Sequence, residues 1–162
     1  MSKDVTKPTI FTLCGSTKFE KEFHDWNKYL TFSGCVVLSL AVFPSQVGGE
    51  KDWYDKYQKA VLDQMHLDKI DASDCILVLN KDGYIGESTM REILYAFRKG
   101  KEVFSIESMG QHRINRFHPI NTWVQDAPDD IYRVELNDLT KFFVEPFDPS
   151  KLSPCKSESD NG

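Results

Sequence analysis

The stretch DGYIGESTMREILYAF, Asp82 to Phe97, gathers the side chains best suited to chemistry. Gly83 and Gly86 bracket Tyr84 and Ile85, Ser88 and Thr89 supply hydroxyls, and Glu92 follows at the capping-box spacing from Thr89. In a capping box the acid folds back onto the backbone N–H of the hydroxyl residue and serves the helix alone. The same acid, one turn inside a helix whose start looks into a cleft, can act as a nucleophile and form a covalent intermediate at an anomeric carbon. Spacing allows both roles.

A second candidate loop is Cys14-Gly15-Ser16-Thr17. Gly15 permits a tight turn and the approach of a ligand, and free N–H groups at a helix start favour an anion or an oxygen-rich ligand. A plain helix cap uses the same residue types. Neither loop has the GxxxxGK[ST] spacing of a P-loop or the GxGxxG dinucleotide pattern.

Alternating strands and helices must carry these loops. TIFTLC, CVVLSL, DCILVLN and EVFSIE are short apolar runs that predict buried strands, with IYRVEL as a fifth. Between them lie helical patterns. In STKFEKEFHDWNKYLTFSG, Phe19, Phe23, Trp26, Leu30 and Phe32 recur at helical spacing, with Thr17 and Glu20 as a capping box and Gly34 as the stop. In WYDKYQKAVLDQMHLDKIDAS, Tyr57, Val61, Leu62, Met65 and Ile70 are expected towards the core. TMREILYAFRKG closes at Gly100, and NDLTKFFVEPF predicts a short helix capped by Asn137. A long loop, AVFPSQVGGEKD, follows the second strand, and SMGQHRINRFHPINTWVQDAPDD reads as largely irregular.

This order predicts an α/β fold: a doubly wound, Rossmann-like parallel sheet of five strands in the order 2-1-3-4-5, with helices on both faces. A ligand then binds at the carboxyl ends of the strands, at the switch point between the first and third, where CGST and NKDGYIGEST face each other. The length of 162 residues suits a single domain over 1–162, with about 150–162 a polar tail.

A net charge of −5 argues against a phosphate-tracking nucleic-acid surface, while 40% hydrophobic and 28% charged residues are ordinary for a soluble protein. The start lacks a signal-peptide pattern, and no run is long enough to span a membrane, so a cytoplasmic protein is expected. Cys14, Cys35, Cys75 and Cys155 form no CxxC pair and no zinc-spaced Cys/His motif; buried reduced thiols are expected.

IDASDCILVLNKDGYIGESTMREILYAFRKGKEVFSI resembles the nucleoside 2-deoxyribosyltransferase family and the related nucleoside 5′-monophosphate N-glycosidases. The resemblance covers about residues 8 to 107, is strongest over GESTMREILYA…KGKEV, and extends to the first turn, TLCGST. It implies cleavage of the N-glycosidic bond of a (deoxy)nucleoside or nucleotide, with Glu92 as the nucleophile. The sugar then passes to a second free base or to water, with no metal or organic cofactor. It also implies a homo-oligomer whose sites are completed across subunits, with Asn121 resembling an asparagine lent by the neighbour.

The sequence departs from that family at three positions. His66 stands where the transferases have a base-handling aspartate; it could donate a proton to the leaving base, or be a half-buried packing residue beside Leu62 and Ile70, and Asp71 is a substitute. Phe11 stands where a tyrosine orients the glutamate, leaving Tyr84 or Tyr95 for that role. Gly86 matches a second acid. Ser88 with Ser16 could hold a 5′-phosphate, as serines do in the nucleotide glycosidases. Phe43, Trp53, Tyr54 and Tyr57 could stack on a base or pack as core and lid.

Overall fold

The computed structural model describes residues 7–41, 43, 54–110, 113–117, 122–123 and 126–142. The four apolar runs form β1 (Ile10–Cys14), β2 (Val36–Leu38), β3 (Cys75–Val78) and β4 (Glu102–Ser105). They pair in parallel in the order β2-β1-β3-β4, so the switch point lies between β1 and β3 as expected. The connecting helices are α1 (Glu20–Phe32), α2 (Lys56–Ala72) and α3 (Glu87–Arg98).

The sheet is not the expected five parallel strands. Among the described residues it has six, and IYRVEL supplies β8 (Ile131–Arg133), which joins β4 antiparallel, with β5 (Arg113–Ile114) at the edge. The physical reason lies in the connection. A parallel return needs a crossover, usually a helix, whereas the chain between β4 and β8 carries the short strands β5, β6 (Arg116–Phe117) and β7 (Thr122–Trp123), the last two forming a separate ribbon. The described part of the expected helix at NDLTKFFVEPF is a 3-10 segment, Leu136–Phe142, with 143–147 outside the described residues; Asn137 lies within it rather than capping it, and the Asp138 carboxylate accepts from Glu135 N–H.

Alternation along β1 sorts the side chains to two cores. Phe11 and Leu13 join Phe23, Trp26 and Leu30 of α1, with Phe104 and Phe117. Cys14 faces the other way, with Ile76 and Val78 of β3, Leu67 and Ile70 of α2, and Ile93 and Ala96 of α3. One helix therefore covers one face, and two cover the face that carries the candidate site.

Asp74 ties the centre of the sheet together, its carboxylate accepting from Ile10 N–H at 2.8 Å and its own N–H donating to the Ile10 carbonyl at 2.8 Å. At the other end of β1, a Cβ on Gly15 would lie 3.0 Å from the Leu79 carbonyl oxygen just past β3, so a side chain there would have to push that backbone aside.

Several helix details differ from expectation. The first turn has no Thr17–Glu20 capping box: Ser16 accepts from Lys18 N–H and opens a 3-10 turn, Thr17–Phe19. Phe32 is 84% exposed, because it lies on the side of α1 opposite the buried Phe23, Trp26 and Leu30. On α2, Leu67 and Ile70 are buried, whereas Tyr57, Val61 and Met65 are 77%, 42% and 46% exposed. These three lie four residues apart on the face turned from the sheet. The start of α2 has a capping box, Asp55 with Gln58, which the sequence reading overlooked. No helix among the described residues is long and apolar enough to cross a membrane.

Candidate active site

The cap question at Glu92 is answered by where α3 begins. Gly86 is the N-cap, its carbonyl accepting from Met90 N–H, so Thr89 is already the third helical residue and Glu92 lies inside the helix. Its carboxyl group points to the end of β1, where it meets Cys14 and His66. His66 Nε2 is 3.6 Å from Cys14 Sγ and 3.8 Å from Glu92 Oε1. His66 and Glu92 side chains are 6% and 15% exposed.

His66 and Glu92 of this cluster line a cavity of about 350 Å³, with Cys14 buried behind them; its walls come from the loop after β1, the outer part of α2 and the loop that opens α3. Gly15, Ser16, His66, Tyr84, Gly86, Ser88 and Glu92 all line it, so most of the expected site residues converge. The β3 loop is fixed from behind. Asn80 Oδ1 accepts from the N–H groups of Ile106 and Glu107, its Nδ2 donates to the Glu107 carbonyl, and Glu107 Oε2 accepts from Asp82 N–H. These bonds hold the left-handed turn at Asp82 (φ 57°) that delivers Tyr84 to the cavity, under the Lys18 ammonium.

Burial governs the electrostatics. It pushes the Glu92 carboxyl up to about 8, against a hydrogen bond from the Cys14 thiol, with the Asp63 charge adding to the rise. It draws His66 down to about 4, aided by the Lys69 ammonium, while the Leu13 carbonyl accepts from the ring. The Cys14 thiol is raised too, by burial first and then by Glu92. At neutral pH the free site therefore holds a protonated carboxyl, a neutral imidazole and a thiol, and the 3.8 Å approach of His66 to Glu92 is not an ion pair.

His66 lines the cavity, and its lowered pKa leaves the imidazole neutral in the neutral range. Asp71 is outside the cavity lining, where its carboxylate accepts from the Tyr95 hydroxyl at 2.8 Å and lies 3.8 Å from the Lys99 ammonium. Phe11 sits on the far face of the sheet against Phe117; Cys14 is the β1 residue that contacts Glu92. Of the aromatic set, Tyr54 lines the cavity, Phe43 packs on Phe23, Tyr57 is exposed, and Trp53 lies outside the described residues, as do Asn121 and Cys155.

Lys59, Asp63, Lys69 and Cys14 are the residues of this region that sequence reasoning missed. For Lys59 and Asp63 a signal existed, since they precede His66 by two turns and one turn of α2. No protein-family model matches the chain, and no curated protein matches it.

Proposed function

We propose that the protein is a nucleoside 2-deoxyribosyltransferase-like enzyme that cleaves the N-glycosidic bond of a (deoxy)nucleoside. Glu92, as carboxylate, attacks C1′, the C1′–N bond breaks, and the base leaves with the bonding electrons. The sugar stays on Glu92 as an ester until a second base, or water, displaces it. Lys59 and Lys69 line the cavity and are the candidate N–H donors to the departing base; Lys59 pairs with Asp63, Lys69 donates to the Ser39 carbonyl at 2.7 Å, and burial lowers the Lys69 pKa, which eases proton release.

The observation that carries this reading is the position of Glu92. It is freed from capping duty, buried at the floor of a nucleoside-sized cavity, and flanked by Cys14 and His66, which fix its orientation. The test is an assay with a panel of deoxynucleosides, each with a second free base. New nucleoside is the expected product, and no product from any donor sinks the reading, leaving a nucleotide-binding module with this fold.

A second reading, hydrolysis of a nucleoside 5′-monophosphate, is favoured by one specific feature. The N-cap of α3, Gly86, has no side chain to cap the helix, and Gly86, Ser88 and Ser16 line the cavity together with Lys59 and Lys69. Such a lining suits a phosphate. Base released only from 5′-monophosphates, with no new nucleoside, selects this reading.

The proposal includes self-association. Tyr57, Val61 and Met65 form an exposed apolar strip on α2, and Met65 also lines the cavity, so a second copy seated there would wall the site. Light scattering should give a multiple of 18.7 kDa, and a monomer at every concentration removes this part.

A further inference from the structure

The geometry points to a second property of the same cluster: Cys14, His66 and Glu92 form a binding site for a thiophilic divalent cation, with Zn²⁺ the best match, and a bound ion blocks the site. Binding does not depend on the glycosidic reading; only the blocking does.

The three donors come from β1, α2 and α3, far apart in sequence, and their ligating atoms all lie within 4.8 Å of one another. A tetrahedral Zn²⁺ site with Zn–S of about 2.3 Å and Zn–N or Zn–O of about 2.0–2.1 Å separates sulfur from nitrogen by about 3.6 Å, and nitrogen from oxygen by about 3.4 Å. The observed separations are 3.6 Å for Cys14 Sγ to His66 Nε2 and 3.8 Å for His66 Nε2 to Glu92 Oε1. The third pair, Cys14 Sγ to a Glu92 carboxylate oxygen, lies within 4.8 Å and has to close to about 3.6 Å on binding.

The donor types narrow the ion. Sulfur, imidazole and a single carboxylate suit Zn²⁺, whereas Mg²⁺ and Ca²⁺ require mostly oxygen. The Leu13 carbonyl bond to the His66 ring orients the imidazole, as such bonds do for metal ligands. Three protein ligands leave a fourth direction, towards the cavity, for water or a small anion. On binding, the thiol and carboxyl protons pass to solvent, and sulfur, nitrogen and oxygen each donate an electron pair; no oxidation state changes. Glu92 Oε1 is then committed to the ion and cannot attack a sugar carbon.

The test titrates chelator-stripped protein with Co²⁺ and follows thiolate-to-cobalt charge-transfer absorption in the near ultraviolet. The expected result is one equivalent bound with that band present, and loss of the band when Zn²⁺ is added. Cys14→Ser should lose the band, while Cys35→Ser and Cys75→Ser, which change buried thiols outside the cluster, should keep it. Glu92→Gln should keep the band and weaken Co²⁺ binding by about tenfold or more. If Cys14→Ser does not fold, Glu92→Gln and His66→Asn decide, and unchanged affinity in both overturns the site. Absence of the band in folded wild type, or its survival in Cys14→Ser, also overturns it. Stoichiometric Zn²⁺ should stop turnover and a chelator should restore it. Zn²⁺ bound with turnover intact overturns the blocking alone. Turnover absent in metal-free protein counts against the glycosidic reading and leaves the binding result standing.

Discussion

Glu92→Gln should lower kcat by at least about a thousand-fold while the protein stays folded. The amide keeps the volume and polarity of the side chain, so Cys14 and His66 retain a neighbour to bond, but it cannot form an ester with a sugar carbon. A capping role predicts the reverse: loss of about 0.5–2 kcal/mol of stability with chemistry intact. The helix start at Gly86 already removes the basis for that outcome. Single-turnover assays with the variant, beside its thermal melt, separate the two, and activity within tenfold of wild type sinks the nucleophile assignment.

Turnover and stability should both change with pH through this one carboxyl, in opposite directions. On the proposed mechanism only ionised Glu92 attacks, and burial raises its pKa to about 8, so kcat/KM should fall about tenfold per pH unit below that value, roughly a hundred-fold by pH 6. Stability has the other sign. A carboxyl raised from 4.5 to about 8 on folding contributes stability that is full below 4.5 and is lost as pH rises through 8. His66, lowered from 6.5 to about 4, contributes stability that is present above 6.5 and lost as pH falls through 4. The two slopes cancel between 4.5 and 6.5, leaving Glu92 alone to act from 6.5 to 8. Over that interval the wild type should lose about 2 kcal/mol relative to Glu92→Gln. Urea melts of both proteins across the interval measure it, and parallel profiles would show that Glu92 titrates normally.

Much of this arrangement was legible in the sequence. The first four strands are runs of apolar residues with β-branched members, bounded by Gly, Ser or Asp, and their order follows from handed crossovers. The direction of β8 was not legible, because it depends on whether a helix intervenes, and the polar segment before it gives no period of either kind. The inward face of α2 was misread for a different reason: apolar residues lie on both sides of that helix, so Tyr57, Val61 and Met65 satisfy helical spacing as well as Leu67 and Ile70 do. At the site, the loops and Glu92 were readable from local residue types. The partnership of Cys14 with His66 was not, since no short motif joins residues on different elements, although parity along β1 does put Cys14 and Phe11 on opposite faces.

The pairing of Ile10 with Asp74 has a kinetic consequence. It closes a segment of 64 residues, at an entropic cost of about 3–4 kcal/mol before the central pairs give anything back. On the ribosome, β1 emerges long before β3, and its inner edge stays without a partner until Cys75–Val78 arrives. Cys14 is held at the end of β1, His66 on the helix that leads into β3, and Glu92 on the helix that leaves it. The cavity thus comes into being only when β3 docks, and recovery of turnover on refolding should follow that non-local step rather than the faster appearance of helix.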